Sequence, residues 1–519
     1  MAQHTLPFEY ESEENSTGLT ALAGLPVFLE LMAVMGLPQM IRTRLDVRSN
    51  QGWTDTQQVL ALVSLHLAGG DCMDDLDKLE GDDGFCEILK EVEGHGLRHR
   101  ERQALAYRWR IEKTRSVPSP TALRHWLGEF DDEDQSGLSK QGAAFVPAPN
   151  EHLVGLKQVV AQTACYAHLV DPQTDTATLD GDATLVETHK DGALYCYKKH
   201  KAYQPYNIFW DELGVMLTSE FRDGNCPAAW RILEVFRDGL ELLPPGIRRV
   251  RTRQDTAGYQ SAFLKYMAEG HHPRFGVIKF AVGVDVTRAF KDAVAQVADQ
   301  DWQPLKAVDA DGFEWDTGQQ FAEVCYVPDW AGKSKNGPQY RFLAIRELLA
   351  DQPELFDNPD QAELPFPTML FSDKQAHKVF GVVTNYLWDE MDGDEIIRWH
   401  RLRGGNSEKA HSILKSDLGA GQLPTDKFGA NAAWWQIALI AFNLHVIMQT
   451  QVLGRTGLGQ RLKAVRFGLI GVPGRIVRHA RRLIIRVPKS HPSLALIERA
   501  RRRLAQMATG PPGRWLTAA

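Results

Sequence analysis

The sequence lacks paired cysteines and long apolar runs. Its 519 residues contain six cysteines, which are dispersed and form no Cys-x-x-Cys pair. A disulfide framework or a structural zinc site is therefore not expected, and a reducing cytoplasm fits this cysteine usage. The longest apolar stretch, residues 432–442, is too short to span a bilayer and predicts a buried helix. We therefore expect no membrane partner.

Internal repeats, low-complexity tracts and a recognisable signal peptide are also missing. The chain opens with MAQHTLPFEYESEENS, which is polar and acidic and has no apolar core region. We therefore expect a cytoplasmic protein. A chain of 519 residues exceeds what one hydrophobic core usually supports, so roughly two to four domains are expected.

The chain carries no overall excess of positive charge. Its formal net charge is −7, which taken alone argues against a nucleic-acid partner. The distribution is uneven, however. Residues 454–503 contain fourteen Lys and Arg against one acid, and residues 97–115 contain seven against two. Both segments predict basic surfaces, for which solvated helix faces are the plain alternative.

Hydrophobic periodicity divides the chain into regions of different predicted structure. Several strands followed by alternating helices and strands predict a mixed sheet with helices on its faces. Ser119 followed by Pro120 predicts a capped helix start. The predicted regions are 1–130 (helical), 131–150 (a polar linker or loop), 151–284 (a mixed sheet), 285–390 (a second strand-bearing region), 391–450 (helical) and 451–519 (basic).

Two aspartates lie two residues apart in the segment TLDGDATLVETHK, which otherwise predicts a buried strand. Strand side chains alternate, so Asp180 and Asp182 point to the same face. Burying two carboxylates on one face is unfavourable unless another group compensates their charge. Asp255 ends a later predicted strand, and Glu408 lies at or just inside a predicted helix start.

Carboxylates from adjacent strand ends and from a packed helix can converge on one point. They are the ligands that Mg²⁺ prefers, and two such ions about 4 Å apart can assist in-line phosphoryl transfer. Each acid also has a plain interpretation. Asp182 would pair with a nearby arginine, Asp255 would cap the following helix, and Glu408 would be favoured by the helix dipole.

Six separated blocks of the sequence occur in a familiar order. They are LDGDAT, YQPYNIFWDELGVMLTSEFRDGN, VRTRQDTAGY, RFGVIKFAVGVD, GGNSEKAHSILKSDLGAG and FGANAAWWQIALIAFNL. In this order they resemble DDE transposases of bacterial insertion sequences, specifically the group numbered thirteen-eighty. The resemblance covers roughly residues 15–490. It implies a mixed α/β fold with a ribonuclease-H-like mixed sheet, a β-rich insertion at 285–390, a helical N-terminal DNA-binding domain and a helical basic C-terminal region.

The resemblance assigns the three catalytic, metal-binding acids by motif. The D-x-T pattern falls on Asp182 with Thr184, and the R-x-D-[ST] pattern falls on Asp255. An acid followed seven residues later by lysine falls on Glu408 with Lys415. Asp182 is preferred over its neighbour Asp180 because it fits the motif and lies nearer the end of the strand. Asp180 and Thr184 are expected to support the ligand, and Asp180 alternatively to hydrogen-bond to a neighbouring strand.

The sequence departs from related transposases ahead of the glutamate. These carry a tyrosine and an arginine at fixed offsets, whereas WHRLRGGNSE has no tyrosine and offers Arg401 and Arg403. We expect both arginines to contact DNA phosphate and Gly404–Gly405 to interrupt the helix. Lys415 returns to the face of Glu408 after two turns, so it would contact DNA phosphate or remain a solvated lysine.

The resemblance also implies the reaction and its partners. DNA would be cleaved and then joined to a target through a free 3′-OH, without a covalent enzyme–DNA intermediate. The implied cofactor is Mg²⁺, with Mn²⁺ as a substitute. Partners are double-stranded DNA, as terminal inverted repeats and target, and a second copy of the chain on paired ends. The location would be the bacterial cytoplasm, at the nucleoid.

The basic segments then become candidate DNA-binding surfaces. Arg108 and Arg110 would serve the N-terminal domain, while Arg475, Arg478 and Arg482, at helical spacing, would follow phosphates from one helix face. Two alternatives stay open. One is a catalytically idle DNA-binding protein derived from a transposase, and the other is a ribonuclease-H-like repair nuclease.

Overall fold

The structure is a computed structural model that describes most of the 519 residues. The described residues are 17–47, 51–95, 97–108, 114–139, 144–170, 172, 174–309, 311–331, 338–349, 366–372, 374–454, 461–480 and 482–508.

The described part of the N-terminal region is helical, as predicted, apart from the short strand β1 (Leu19–Thr20). Its helices are α1 (Pro26–Val34), α2 (Leu37–Arg44), α3 (Asp55–Ala68), α4 (Leu76–Glu80), α5 (Asp83–Gly94), α6 (His99–Tyr107), α7 (Pro120–Gly128) and α8 (Glu133–Ser139). Ser119 caps α7 by accepting a hydrogen bond of 3.2 Å from the amide of Ala122. Since α8 lies within residues 131–150, that segment is not wholly the linker or loop that was predicted.

The described residues of the central region form two sheets. In chain order the strands of the large sheet are β2 (Thr176–Ala183), β6 (Tyr206–Trp210), β7 (Val215–Glu220), β8 (Arg249–Gln254), β9 (Lys279–Gly283), β10 (Gln303–Val308), β11 (Glu314–Val324), β12 (Arg341–Leu348), β13 (Thr368–Leu370) and β14 (Ala376–Thr384). A small sheet between β2 and β6 consists of β3 (Val186–Glu187), β4 (Leu194–Tyr195) and β5 (Lys201–Tyr203).

The remaining helices pack around the large sheet or follow it. They are α9 (Glu151–Val170), α10 (Ile232–Glu241), α11 (Ser261–Ala268), α12 (Arg288–Val294), α13 (Gly393–Ser412), α14 (Phe428–Ile447), α15 (Leu462–Val465) and α16 (Leu494–Ala508). Turns of π-helix extend α13 through Asp417 and α14 through Val452.

The strand order of the large sheet is β10-β11-β12-β14-β9-β8-β2-β6-β7, with β13 paired to β14. Strand β8 runs parallel to both β2 and β9, whereas the other pairs are antiparallel. The fold is therefore mixed α/β, consistent with the predicted ribonuclease-H-like core. The region 285–390 does bear strands, but β14 hydrogen-bonds to β9. Its strands therefore extend the central sheet within the described residues.

The apolar segment forms the core helix α14. The span Phe428–Val452 is long and apolar enough to cross a membrane, yet its most apolar window is entirely buried inside the protein. Asn443, near its end, donates to the carbonyl of Met216 and the hydroxyl of Thr163. The helix therefore joins the sheet to α9.

The predicted helix across the C-terminal arginines is wrong. Strands β15 (Gly474–His479) and β16 (Arg482–Arg486) form an antiparallel hairpin, and β15 also pairs with β1. The segments RIVRH and RLIIR interleave arginine with Ile, Val and Leu. Spacing of arginines alone suits a helix, but β-branched neighbours fit a pleated, half-buried surface better.

Candidate active site

Asp182 and Asp255 lie at the same edge of the sheet. Asp182 is the penultimate residue of β2, and Asp255 directly follows β8, its parallel neighbour. Parallel strands end at the same edge, so the two carboxylates are neighbours. Asp182 is largely buried, with 17% of its side chain exposed. The predicted cap is also present, since Oδ1 of Asp255 accepts a hydrogen bond of 3.0 Å from the amide of Ala257.

Glu408 comes from helix α13, close to its C-terminal end. The helix runs continuously through Gly404 and Gly405, so the predicted interruption and the placement of Glu408 at a helix start are both wrong. The helix dipole therefore does not explain why an acid occupies position 408, since it favours acids only in the first turn. Each interior glycine costs roughly 1 kcal/mol relative to alanine. Contacts with the sheet offset that cost.

Four contacts attach α13 to the ends of the strands, and they span the helix. Arg253 donates to the carbonyl of Trp399 (3.1 Å), and His400 Nε2 lies 2.8 Å from the carbonyl of Gln254. Asn406 donates to Asp211 (2.8 Å), and His411 Nε2 lies 3.1 Å from Asn207 Nδ2. These contacts hold Glu408 above the sheet edge where Asp182 and Asp255 lie.

Asp180 is fully buried and both of its oxygens are engaged. Arg253 Nε and Nη2 donate to them at 2.7 Å each, and Nη2 also lies 2.8 Å from Asp211 Oδ2. Burial alone would lower the pKa of Arg253, but the bonds to Asp180 and the charge of Asp211 raise it. The guanidinium therefore stays charged. Asp180 thus hydrogen-bonds to the neighbouring strand, one of the two expectations for it.

Asp255 and Glu408 both act electrostatically on Asp182. Burial raises the pKa of Asp182 to about 6; Arg403 opposes this rise, and the charges of Asp255 and Glu408 add to it. Arg403 Nη1 lies 3.6 Å from Asp182 Oδ2, which is the arginine pairing of the plain interpretation. Arg403 therefore points to the carboxylate site, although it was predicted to contact phosphate.

His411 is a site residue that the sequence reasoning missed. Its Nδ1 lies 3.7 Å from Asp182 Oδ2. Burial lowers the pKa of His411 to about 3, and the charges of Lys415 and Arg403 add to this effect. The ring is therefore neutral. With Asn207 donating to Nε2, the proton lies on Nδ1, facing Asp182. The sequence feature that could have indicated His411 is its position three residues after Glu408, on the same helix face.

Lys415 lies at the same site and is not a plain solvated lysine. Its Nζ donates to the carbonyl of Leu185 at 3.3 Å. Burial lowers the pKa of Lys415, the charge of Asp182 raises it and that of Lys198 lowers it further. Lys415 thus lies between the acids and the small sheet.

Two other predicted residues near the acids have contacts within the protein. Arg401 Nη2 donates to Gln319 Oε1 on β11 at 2.5 Å. Thr184 is buried, and its amide donates to the carbonyl of Pro205 at 3.0 Å.

The predicted DNA-binding arginines differ in their surroundings. Arg108 donates to the carbonyls of Gly52 and Gln51, and Arg110 lies outside the described residues. Arg478 forms ion pairs with Glu91 (3.1 Å) and Glu87 (3.7 Å) of α5. Arg475 and Arg482 are exposed on the opposite face of the hairpin.

The donor set suits hard divalent cations. Asp182, Asp255 and Glu408 offer oxygen ligands only, and their mutual repulsion would be relieved by a cation. Among the described residues, one group has donor atoms that all lie within 4.8 Å of one another, namely Asp71, Cys72 and Asp75. The donor atoms of Asp182, Asp255 and Glu408 therefore do not all lie within 4.8 Å of one another. In the other group, Asp75 already pairs with Lys78 at 2.6 Å.

Comparisons with known proteins bear on this site. Residues 371–509 match the family model "Transposase DDE domain group 1". The matched segment is a little over a quarter of the chain and contains Glu408 and Lys415. No curated protein sequence matches the chain.

One similar solved structure is described as a cryo-EM structure of piggyBac transposase synaptic complex with hairpin DNA. The identity is 9%, the coverage is 97% of this chain and 90% of that chain, and the TM-score is 0.42.

Proposed function

We propose that this protein is a DNA transposase whose catalytic acids are Asp182, Asp255 and Glu408. The observation that carries the proposal is the electrostatic convergence of these acids from two strand ends and a helix. The match of residues 371–509 to a transposase DDE domain model supports it. Asp180 shows what a structural carboxylate looks like here, since Arg253 donates to both of its oxygens at 2.7 Å, whereas Arg403 lies 3.6 Å from Asp182.

The three acids would hold Mg²⁺, for which Mn²⁺ would substitute. Bound there, the ions would activate the attacking oxygen and neutralise charge on the phosphate. His411 and Arg403 would orient the carboxylate of Asp182 from the side of the helix. Lys415, with its ammonium beside the strand end, would contact a DNA phosphate next to the cut.

The reaction would have two steps of the same kind. In the first, the oxygen of water bonds to phosphorus at the element end, and the 3′-OH of that end is released. In the second, this hydroxyl attacks a target phosphate and displaces a 3′-OH of the target. Neither step needs a nucleophilic side chain, since water and a DNA hydroxyl supply the attacking oxygens.

The resemblance to insertion-sequence transposases also implies a substrate and an assembly. The substrate would be the terminal inverted repeats of a bacterial insertion sequence of the thirteen-eighty group, followed by target DNA. Two copies of the chain would act on paired ends, in the cytoplasm at the nucleoid. The exposed arginines Arg475 and Arg482 would bind backbone phosphates, so affinity should fall as salt rises.

The test uses a labelled duplex from the DNA flanking the gene, incubated with the full chain and Mg²⁺ or Mn²⁺. We expect nicking at the element end, lost in Asp182→Ala, Asp255→Ala and Glu408→Ala. The matched control is Glu314→Ala, an acid on β11 that pairs with Lys306 and should keep full activity. Nicking that persists in all three site variants would refute the site. Binding without nicking by the wild type would instead support the idle DNA-binding protein.

A further inference from the structure

The small sheet beside the acids presents an aromatic and basic tip. Tyr195 and Tyr197 are 66% and 71% exposed, although tyrosine usually buries much of its ring. Lys198 Nζ lies 5.8 Å from the centre of the Tyr197 ring. Exposed aromatic rings interleaved with cations are the combination that binds single-stranded nucleic acid, because bases stack on the rings and phosphates meet the cations.

The turn of this hairpin is tight and strained. The amide of Cys196 donates to the carbonyl of His200, and the amide of Lys199 donates to the carbonyl of Cys196, both at 2.9 Å. Lys199 has a φ of 65°, in the left-handed region where three-residue hairpin loops usually place glycine. A lysine there is held in an unfavourable backbone conformation by the loop. Strain of this kind is often found at functional sites.

The base of the hairpin is firmly attached to the core. The amide of Leu194 donates to Asp223 at 2.9 Å, and the amide of Asp191 donates to Asp426 at 3.0 Å. A Cβ on Gly192 would lie 2.0 Å from the carbonyl oxygen of Asp426, so this approach requires glycine. The exposed tip therefore projects from a rigid base.

The base of the small sheet lies next to the acids. Strand β3 of the small sheet begins four residues after Asp182, and Lys415 donates to Leu185 just before it. The charge of Lys198 lowers the pKa of Lys415, and the charge of Asp182 raises it. A DNA strand that passes the acids and continues along the small sheet would therefore meet the β4–β5 hairpin.

We propose that the β4–β5 hairpin binds an unpaired stretch of DNA beside the cut, with Tyr195 and Tyr197 stacking on bases and Lys198 and Lys199 contacting phosphates. This inference rests on the proposed function and adds a binding surface for one form of the substrate. Stacking tolerates any base, so the contact would be independent of sequence.

The test compares two probes in the absence of divalent metal. One is a blunt duplex, and the other is the same duplex with a short unpaired 3′ end that contains 2-aminopurine. Wild-type protein should bind the unpaired end more tightly and quench the probe by stacking. Tyr197→Ala should weaken that binding about ten-fold, while Tyr197→Phe should retain it. Phe313→Ala, an exposed aromatic on the β10–β11 turn, is the matched control and should have no effect.

The outcomes separate this inference from the proposed function. Equal binding of both probes by wild type and Tyr197→Ala, with metal-dependent nicking intact, would overturn the hairpin assignment alone. Absence of binding to either probe, together with absence of nicking, would overturn both. Loss of the preference in Tyr197→Ala but not in Tyr197→Phe would support stacking.

Discussion

Arg253 holds Asp180 through two hydrogen bonds of 2.7 Å, and both side chains are fully buried. The same guanidinium reaches Asp211 and the carbonyl of Trp399. One residue therefore links strands β8 and β2 to the helix that carries Glu408. This arrangement separates the two neighbouring aspartates, because Asp180 serves the fold and only Asp182 faces the other acids.

Removing the Asp180 side chain should therefore lower the free energy of unfolding. Asp180→Ala leaves Arg253 buried without its bidentate partner, and breaking such a pair typically costs about 3–5 kcal/mol. We expect chemical denaturation to show this loss. A double-mutant cycle with Arg253→Ala should show strong coupling. Asp175→Ala, which breaks the exposed pair with Arg249, is the control and should change stability little. Equal stability of Asp180→Ala and wild type would contradict the assignment.

Neutralising Asp182 should have the opposite effect on stability. Its pKa is raised to about 6 by burial, against the charge of Arg403, and by the charges of Asp255 and Glu408. The ionised carboxylate of Asp182 is therefore less favourable in the folded protein than in the unfolded chain. Asp182→Asn should stabilise the metal-free protein at pH 7 by roughly 1–3 kcal/mol. It should also abolish the thermal stabilisation by Mn²⁺ that ligand binding gives the wild type. A Mn²⁺ response that survives would exclude Asp182 as a ligand.

At Gly404 and Gly405 the helix α13 has no side chain covering its backbone beside Glu408. A Cβ on Gly404 would have Glu408 Oε1 as its nearest neighbour at 3.8 Å, and one on Gly405 would meet no described atom within 4 Å. Gly404→Ala should therefore stabilise the protein by up to roughly 1 kcal/mol, because alanine favours helix. If DNA approaches this surface, the same variant should cut DNA more slowly. Melting and nicking assays on one preparation test both effects, and unchanged nicking would show that DNA does not use this surface.

The C-terminal hairpin should bind DNA with one face only. Arg482 and Arg486 are exposed on one face of the hairpin, and Arg478 on the other face pairs with Glu91 and Glu87. Arg482→Ala and Arg486→Ala should each reduce the slope of log affinity against log salt by about 1. Arg478→Ala should leave that slope unchanged and lower stability by at most about 1 kcal/mol. Equal slope changes for all three would refute a single binding face.

His66 should make stability depend on pH. Burial lowers the pKa of His66 to about 4, although its bond of 2.6 Å to the carbonyl of Leu418 opposes the shift. Between pH 6.5 and 4 the unfolded chain therefore takes up a proton that the folded protein does not. The folded protein therefore has its full stability above pH 6.5 with respect to His66. As pH falls towards 4, the free energy of unfolding decreases by up to roughly 3 kcal/mol. His66→Gln should flatten the denaturation profile over this range, while exposed His125→Gln should not.

The sequence predicted the structure correctly where a local pattern of residues is compatible with only one local conformation. Strand β2 was recognised because its apolar residues flank two aspartates, and alternation alone placed Asp180 and Asp182 on one face. Ser119 with Pro120 predicted the start of α7 because capping depends on neighbours in sequence. The partner of Asp180 was not predictable in this way, since Arg253 lies 73 residues away.

The wrong predictions share a physical cause. Arginine spacing suggested a helix at the C-terminus, but pairing with β1 stabilised a hairpin instead. Glycines suggested a broken α13, but contacts with Trp399, Asn406 and His411 hold the helix intact. In both cases tertiary contacts outweighed a local preference of about 1 kcal/mol per residue.

The sequence by itself determined most of the element types, the order of the acidic residues and the oxygen chemistry available to a metal. Only the tertiary structure decided which aspartate faces the other acids, that Arg403 and His411 flank it, and that the base of the small sheet adjoins Lys415. The physical reason is that burial and Coulomb interactions depend on distance in space. Residues far apart in the chain acquire their charge states, and hence their roles, only when the sheet and α13 bring them together.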